Sequence, residues 1–212
     1  MPATPVMLSP IVSLAIAYLA GSIPSAYLAG KSRGIDLREH GSGNLGATNV
    51  VRVLGAKMGA LVFAVDIIKG FLPVYFLPRY TATQHTQVLA LALGLAAIIG
   101  HVRPVFLLWR GGGKGVATAA GVFLGLVWLP TLIAFVAWII VFLLWWYVSL
   151  ASLVAAAVLP LALLVTGTVP VRSPVFAAAV FVTIFVFYTH RTNIDRLRRG
   201  EEHNFRRSRR CS

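Results

Sequence analysis

The sequence holds a single cysteine, Cys211, next to its end, and one sulfur can neither close an internal disulfide nor build a thiolate zinc site. Acidic residues are almost as scarce: 6 Asp and Glu stand among 212 residues, against 19 Lys and Arg, for a net charge of +13. Charged residues make up 12% of the chain and hydrophobic residues 58%, where soluble domains run at roughly 25% and 45–50%. That excludes a disordered or fibrous chain and argues against a water-soluble one. In a soluble protein the basic excess would point to nucleic acid. Here the basic residues cluster between apolar runs and no nucleic-acid-binding motif is present, so no nucleic-acid partner is expected. Cytoplasmic membrane loops and anionic substrates explain the excess better.

From Gly115 to Val171 there are 57 residues without one Lys, Arg, Asp, Glu or His. At ~20 residues per crossing this is roughly three helices, with Pro130 and Trp145-Trp146-Tyr147 near the joints. Other apolar runs cover about Pro10 to Gly30, Gly59 to Pro78, Thr86 to Gly100 and Pro174 to Thr189. None alternates as a membrane barrel would. The expectation is an all-α, polytopic integral membrane protein of about seven transmembrane helices. Residues 1–212 would form one membrane-embedded domain, with 199–212 as a basic cytoplasmic tail touching anionic lipid. Seven crossings place sixteen of the nineteen Lys and Arg on one side, and the positive-inside rule makes that side the cytoplasm. The N-terminus is then outside and the C-terminus inside. No basic residue precedes Lys31, so the first span lacks the charged start of a cleavable signal peptide.

Three polar clusters fall on the basic side. The first is Gly41-Ser42-Gly43-Asn44-Leu45-Gly46-Ala47-Thr48-Asn49, with Arg52 one turn later. Its glycines leave backbone N–H groups open as an anion-binding nest, the short polar side chains add donors, and the Arg52 fork suits phosphate. The glycines also spell G-x-G-x-x-G, but no strand precedes them and no βαβ unit surrounds them, so a dinucleotide fold is excluded. The second cluster is Gly111-Gly112-Gly113-Lys114-Gly115 with Thr118 following. It is not a P-loop, because Gly115 stands where that motif needs Ser or Thr. Glycines opening a helix beside a lysine nonetheless make an anion site. His101 and Arg103 head the same segment, as ligands or as interface anchors. The third cluster is His190-Arg191-Thr192-Asn193. On a continuing helix His190 and Asn193, at i and i+3, share a face. His190 and Asp195 spell H-x-x-x-x-D, but five helical residues set those side chains about 140° apart, which is poor for a catalytic pair.

Asp66 and Lys69 are charges inside the second span, again at i and i+3. Pairing with each other, in support of the site, is the expected role. Gly121 and Gly125 form a GxxxG pair, read as close helix packing. No metal and no cofactor is expected.

Three segments resemble the signature regions of the bacterial acyl-phosphate:glycerol-3-phosphate acyltransferase family, of PlsY type. They are Ser22-Ile23-Pro24-Ser25-Ala26-Tyr27 leading into Gly34 to Arg52, Gly100 to Thr118, and His190 to Glu201, about a third of the chain. The combination of GSGNLGATNVVR, GGKGVAT and HRTNIDRL is highly specific. The resemblance implies a multi-pass enzyme of the bacterial inner membrane with its active site on the cytoplasmic face. It would move an acyl group from acyl phosphate to the sn-1 hydroxyl of glycerol 3-phosphate, yielding lysophosphatidic acid and phosphate in the first acylation of phospholipid synthesis. It implies no acyl-CoA and no acyl carrier protein, and a working link to the enzyme that makes acyl phosphate. Ser42, Arg52 and Lys114 match phosphate-binding and catalytic positions. His190 and Asn193 match residues that hold glycerol 3-phosphate. Gly43, Asn44, Thr48 and Asn49 line the first loop, and Gly41, Gly46, Gly112, Gly113 and Gly115 complete the substrate-binding set, with Asp66, Lys69 and His101 in support. The chain departs from the family in having Arg103 where an aromatic is usual and Gly111 as an extra residue before GGKG. The competing class is a membrane transporter of phosphate or a small organic anion. Transporters usually show internal repeats and midplane sites in broken helices, and no convincing repeat is present.

Overall fold

The computed structural model describes residues 7–208, so Arg209, Arg210 and Cys211 of the expected tail lie outside the described residues. The chain is helical, with no strand among the described residues beyond an isolated bridge between Leu8 and Thr81. It divides into two compact units, Met1–Leu126 and Val127–Ser212.

In the first unit, α1 (Pro10–Ser22) begins at a Ser9 cap with proline in its first turn, a placement that wastes no backbone donor. It ends where Pro24 removes an N–H and its ring excludes a helical carbonyl. The chain resumes as α2 (Ser25–Lys31), and the Ile23 carbonyl is left outside the helical ladder. The short α3 (Ala47–Leu54) and the long α4 (Ala56–Phe76) meet at Gly55, whose φ of +89° a side chain would resist. The two pack as a hairpin, with Gly59 against Val51. Then come α5 (Thr86–Val102) and α6 (Val116–Leu126).

The levels at which these helices meet decide where the polar residues go. The backbone of Thr118 lies against Gly70, Gly121 against Ile67 and Phe71, and Gly125 against Phe71 and Val74, so α6 packs along α4 and begins beside its middle. His101, near the end of α5, reaches Asp66 on α4. Asp66 is ten residues into α4, ~15 Å from its start. The break after α1, the end of α5 and the start of α6 all stop at this level. Below it the first half of α4 is wrapped by α2, α3 and the first loop, around Leu37, Leu45, Val50 and Val62.

The second unit is a hairpin of α7 (Trp128–Trp145) and α8 (Val148–Thr166), followed by α9 (Pro174–Thr189) and α10 (Arg191–Arg199). Its joints fall where the aromatics and Pro130 point. Trp146, in the left-handed region at φ +62°, turns α7 into α8.

The seven expected apolar segments are all helical, and they differ in length. Among the described residues five stretches are long and apolar enough: Pro10–Lys31, Ala56–Tyr80, Thr86–Leu107, Trp128–Trp145 and Val148–Thr166. The pair Pro174–Thr189 and Arg191–Arg199, bent by 56°, makes a sixth. The seventh apolar segment is helical too, but the 11 residues of α6 reach only ~16 Å, about half of a ~30 Å hydrocarbon core.

Candidate active site

The first glycine cluster is held from within its own stretch of chain. Asn49, 1% exposed on the first turns of α3, accepts from the Ser42 N–H at 2.8 Å. It donates to the carbonyls of Leu37 (3.2 Å) and His40 (3.0 Å). Gly41 has a φ of +63° and lies so close to the Asn49 amide that no Cβ fits. Asn49, read from the sequence as lining the substrate, therefore spends its amide on holding the loop. Ser42 is exposed, and Asn44, Thr48 and Arg52 are half-buried. Helix α3 starts at Gly46 with no side-chain cap and no acid in its first turn, which leaves its leading N–H groups to an anion.

Just upstream, Arg38 grips Asp36 with Nε and Nη2 at 3.0 and 2.6 Å and stacks over Tyr27 at 5.2 Å. That double hydrogen bond holds the Asp36 carboxyl down at about 2, and raises the Arg38 guanidinium. These residues were not among the expected site positions.

The second glycine cluster is held from a distance. The Gly113 N–H donates to the His101 carbonyl at 3.3 Å, and the imidazole edge lies against the Gly113 α-carbon. Gly113 also abuts the Leu45 carbonyl, and Gly111 abuts Arg38, so the two glycine loops touch each other. Between them opens a small cleft lined by Ser25, Leu45, Lys69, His101 and Gly111–Gly113. Beneath it Asp66 and Lys69 pair at 2.7 Å, as expected for intramembrane charges. Asp66 also accepts from Ser25 Oγ at 2.6 Å, and Lys69 donates to the Ile23 carbonyl freed by the Pro24 break at 2.9 Å. Lys114 and Gly115 follow directly, with Lys114 half-buried and Gly115 buried ahead of α6.

The departures from the family pattern have a place. Arg103 donates through Nη1 to the Trp109 carbonyl at 3.4 Å, while its own carbonyl accepts from Tyr18 Oη, which in turn accepts from Trp109 Nε1. These bonds stabilise left-handed Leu108 and Trp109 ahead of Gly111.

In the second unit His190 stands at a bend, as the N-cap of the helix that carries Asn193. His190 caps α9, and the chain bends there by 56° before α10. The buried His190 has Nδ1 2.9 Å from the Val186 carbonyl, and since a carbonyl only accepts, Nδ1 carries the proton. Asp195 is exposed. Asn193 donates from Nδ2 to Glu202 Oε1 at 2.7 Å, and Ser149 donates to the same oxygen at 2.9 Å. Glu202 was not expected. Its signal was scarcity, because in a chain with 6 acids each one needs a reason, and Asp36, Asp66 and Glu202 each brace a polar segment. The start of the tail is docked as well: the Phe205 N–H donates to the Trp146 carbonyl and Asn204 to the Trp145 carbonyl.

Comparison with known proteins supplies the family. A family model described as "Glycerol-3-phosphate acyltransferase" matches residues 11–200. A protein of that name from Geotalea daltonii is 43% identical over 201 residues, covering 95% of this chain and all of the relative. One from Aquifex aeolicus is 44% identical over 189 residues, covering 89% and 95%. The crystal structure of PlsY (YgiH), an integral membrane glycerol 3-phosphate acyltransferase in its glycerol 3-phosphate form, matches at TM-score 0.84 and 41% identity, over 92% of this chain and 95% of its own. The lysophosphatidic acid form matches at TM-score 0.81 and 40% identity over the same shares.

Proposed function

The chain belongs to the glycerol-3-phosphate acyltransferase family of multi-pass membrane enzymes, and from that premise we propose that it transfers an acyl group from acyl phosphate to the sn-1 hydroxyl of glycerol 3-phosphate. The products are lysophosphatidic acid and inorganic phosphate. The observation that carries this reading is the meeting of two glycine loops, one bearing Ser42 and leading to Arg52, the other bearing Lys114. Both substrates present phosphate, and two adjoining nests with two cations suit two phosphates.

Chemistry then needs placement more than a nucleophile. The glycerol hydroxyl oxygen attacks the acyl carbonyl carbon, the bond from that carbon to the phosphate oxygen breaks, and the hydroxyl proton leaves with the phosphate. A phosphate with a second pKa near 6 accepts that proton without help from a side chain. Arg52 and Lys114 neutralise the charge that builds on the departing phosphate. His190 and Asn193 hold the glycerol 3-phosphate headgroup, Asn193 with its amide oriented by Glu202. The site residues Ser42, Arg52, Lys114, His190 and Asn193 act without cofactor or metal in this scheme.

The protein works in the bacterial inner membrane with the site on the cytoplasmic face, next to the enzyme that supplies acyl phosphate. Two contacts support that sidedness. Leu8 bonds to Tyr80 and Ala82 at the end of the first unit away from the glycine loops, and the Asn204–Phe205 segment bonds to the Trp145–Trp146 joint that shares its side in the charge count. Purified protein in detergent should release phosphate from acyl phosphate only when glycerol 3-phosphate is present, and not release CoA from acyl-CoA. A carrier would do neither, and steady release without glycerol 3-phosphate would overturn the acceptor. A cysteine at Ser42, with Cys211→Ser, should react with impermeant thiol reagents only after cells are permeabilised. Labelling of intact cells would invert the topology.

A further inference from the structure

The proposed acyl transfer makes no use of the buried cluster under the second loop. Asp66 is 1% exposed, Lys69 5% and His101 7%, and the three come from the middle of α4 and the end of α5. Taking such charges out of water is costly, and an apolar trio would pack the same volume at less expense. What an apolar trio cannot do is aim. Oδ1 of Asp66 collects Ser25 Oγ at 2.6 Å and Lys69 Nζ at 2.7 Å, and His101 Nδ1 stands 3.7 Å away. The start of α2 and α4 are thereby bonded to one oxygen, and the end of α5 stands beside it. The far edge of the His101 ring, Nε2 and Cε1, lies against the Gly113 α-carbon, while the His101 backbone carbonyl takes the Gly113 N–H. Gly112 in turn rests on the carbonyls of His101 and Val102. Lys114 is the next residue after this contact.

We propose that His101, beside Asp66, is a positioning residue: its ring is the surface against which Gly113 folds, and so it sets where the Lys114 ammonium meets the phosphate. This rests on the reading of Lys114 as the phosphate-holding residue given above. A glycine loop has no shape of its own, since glycine loses more conformational freedom on ordering than any other residue. An imidazole held on one side by a carboxylate is a rigid former for it.

A double-mutant cycle in the full-length protein tests this, with phosphate release and thermal unfolding read on every variant. Gly113→Ala drives a methyl into the ring and should lower kcat/KM by ~10²-fold. In a His101→Ala background the closest clash is gone and only the Leu45 carbonyl at 3.0 Å remains, so the same substitution should cost at least ~10-fold less. His101→Ala alone should lower kcat/KM by ~10-fold or more. His101→Phe keeps the ring and loses the tether to Asp66. It should fall between wild type and His101→Ala, and it should give no relief to Gly113→Ala. Additive losses in the alanine cycle would overturn the proposal, as would a folded His101→Ala with kcat/KM within twofold of wild type. Should His101→Ala fail to fold, wild-type kinetics in His101→Phe would overturn it equally. Wild-type protein inert toward acyl phosphate would instead sink the functional reading, and the relief between positions 101 and 113 would still be read in Tm.

Discussion

The two glycine loops touch, yet they are built in opposite ways. The loop at 41–46 is shaped by residues of its own neighbourhood: Asn49 reaches back to 37, 40 and 42, and Asp36 grips Arg38. The loop at 111–115 lies on nearby His101, but His101 stands beside Asp66 and Asp66 is bound to Ser25, so its support runs to residues far along the chain. Both carry the flexible residue that lets backbone approach an anion, and each needs an external former. A local former can be added to a loop by nearby substitutions alone. A remote one ties the loop to helix packing, so errors in the α4–α5 contact are transmitted to the Lys114 segment.

The largest effects should come from the cations that both formers serve. Lys114→Ala and Arg52→Ala should each reduce turnover by ~10²-fold or more, as when a charge-stabilising donor is lost from a transition state. Arg52→Lys should recover little, because a point charge cannot replace a planar fork. Retention of more than about half the phosphate-release activity by either alanine variant would break the two-loop scheme.

The local former should show itself in both stability and rate. Asn49→Ala strands the Ser42 N–H and two carbonyls, so we expect about 2–3 kcal/mol of destabilisation and ~10-fold lower kcat/KM. Asn49→Asp keeps the acceptor for Ser42 and loses both donors, so it should lie between. Equal unfolding midpoints for wild type and Asn49→Ala would remove the contrast between the loops.

In the second unit His190 separates binding from proton transfer. His190→Gln keeps a hydrogen-bonding group and loses a titrating one. Saturating glycerol 3-phosphate should restore most of kcat, with the cost in KM. A kcat still down by ~10²-fold at saturation would make the histidine the base.

The smallest effect belongs to Asp36. Its carboxyl, held at about 2 by Arg38, is depressed below the ordinary 3.8, so its contribution to stability is complete above pH 4 and is lost as pH falls toward 2. Asp36→Asn should therefore flatten the fall of Tm between pH 4 and pH 2 and change little at pH 7. Parallel Tm curves for the two proteins would dismiss this ion pair as a brace of the first loop.

By itself the sequence determined the class of molecule. Apolar runs, a basic bias on one side and three polar clusters are local properties, because transfer of a side chain from water depends on the side chain and its immediate neighbours. The helices from Pro10, Thr86 and Pro174 start where hydropathy and proline chemistry put them, and the Asp66–Lys69 pair follows from helical spacing. The motifs around Ser42, Lys114 and His190 carried the family resemblance, which the family match over residues 11–200 upholds. Tertiary structure alone decided the rest. Helix α6 begins beside the middle of α4 because Gly70 and Gly121 let the two backbones approach, a contact between residues about fifty apart. The bend at His190 and the grip of Glu202 on Asn193 arise because α8, α10 and the following segment bring Ser149, Asn193 and Glu202 together. Such contacts join positions that no period or spacing relates. The same chain composition would allow other pairings, and only the close packing of helices selects among them.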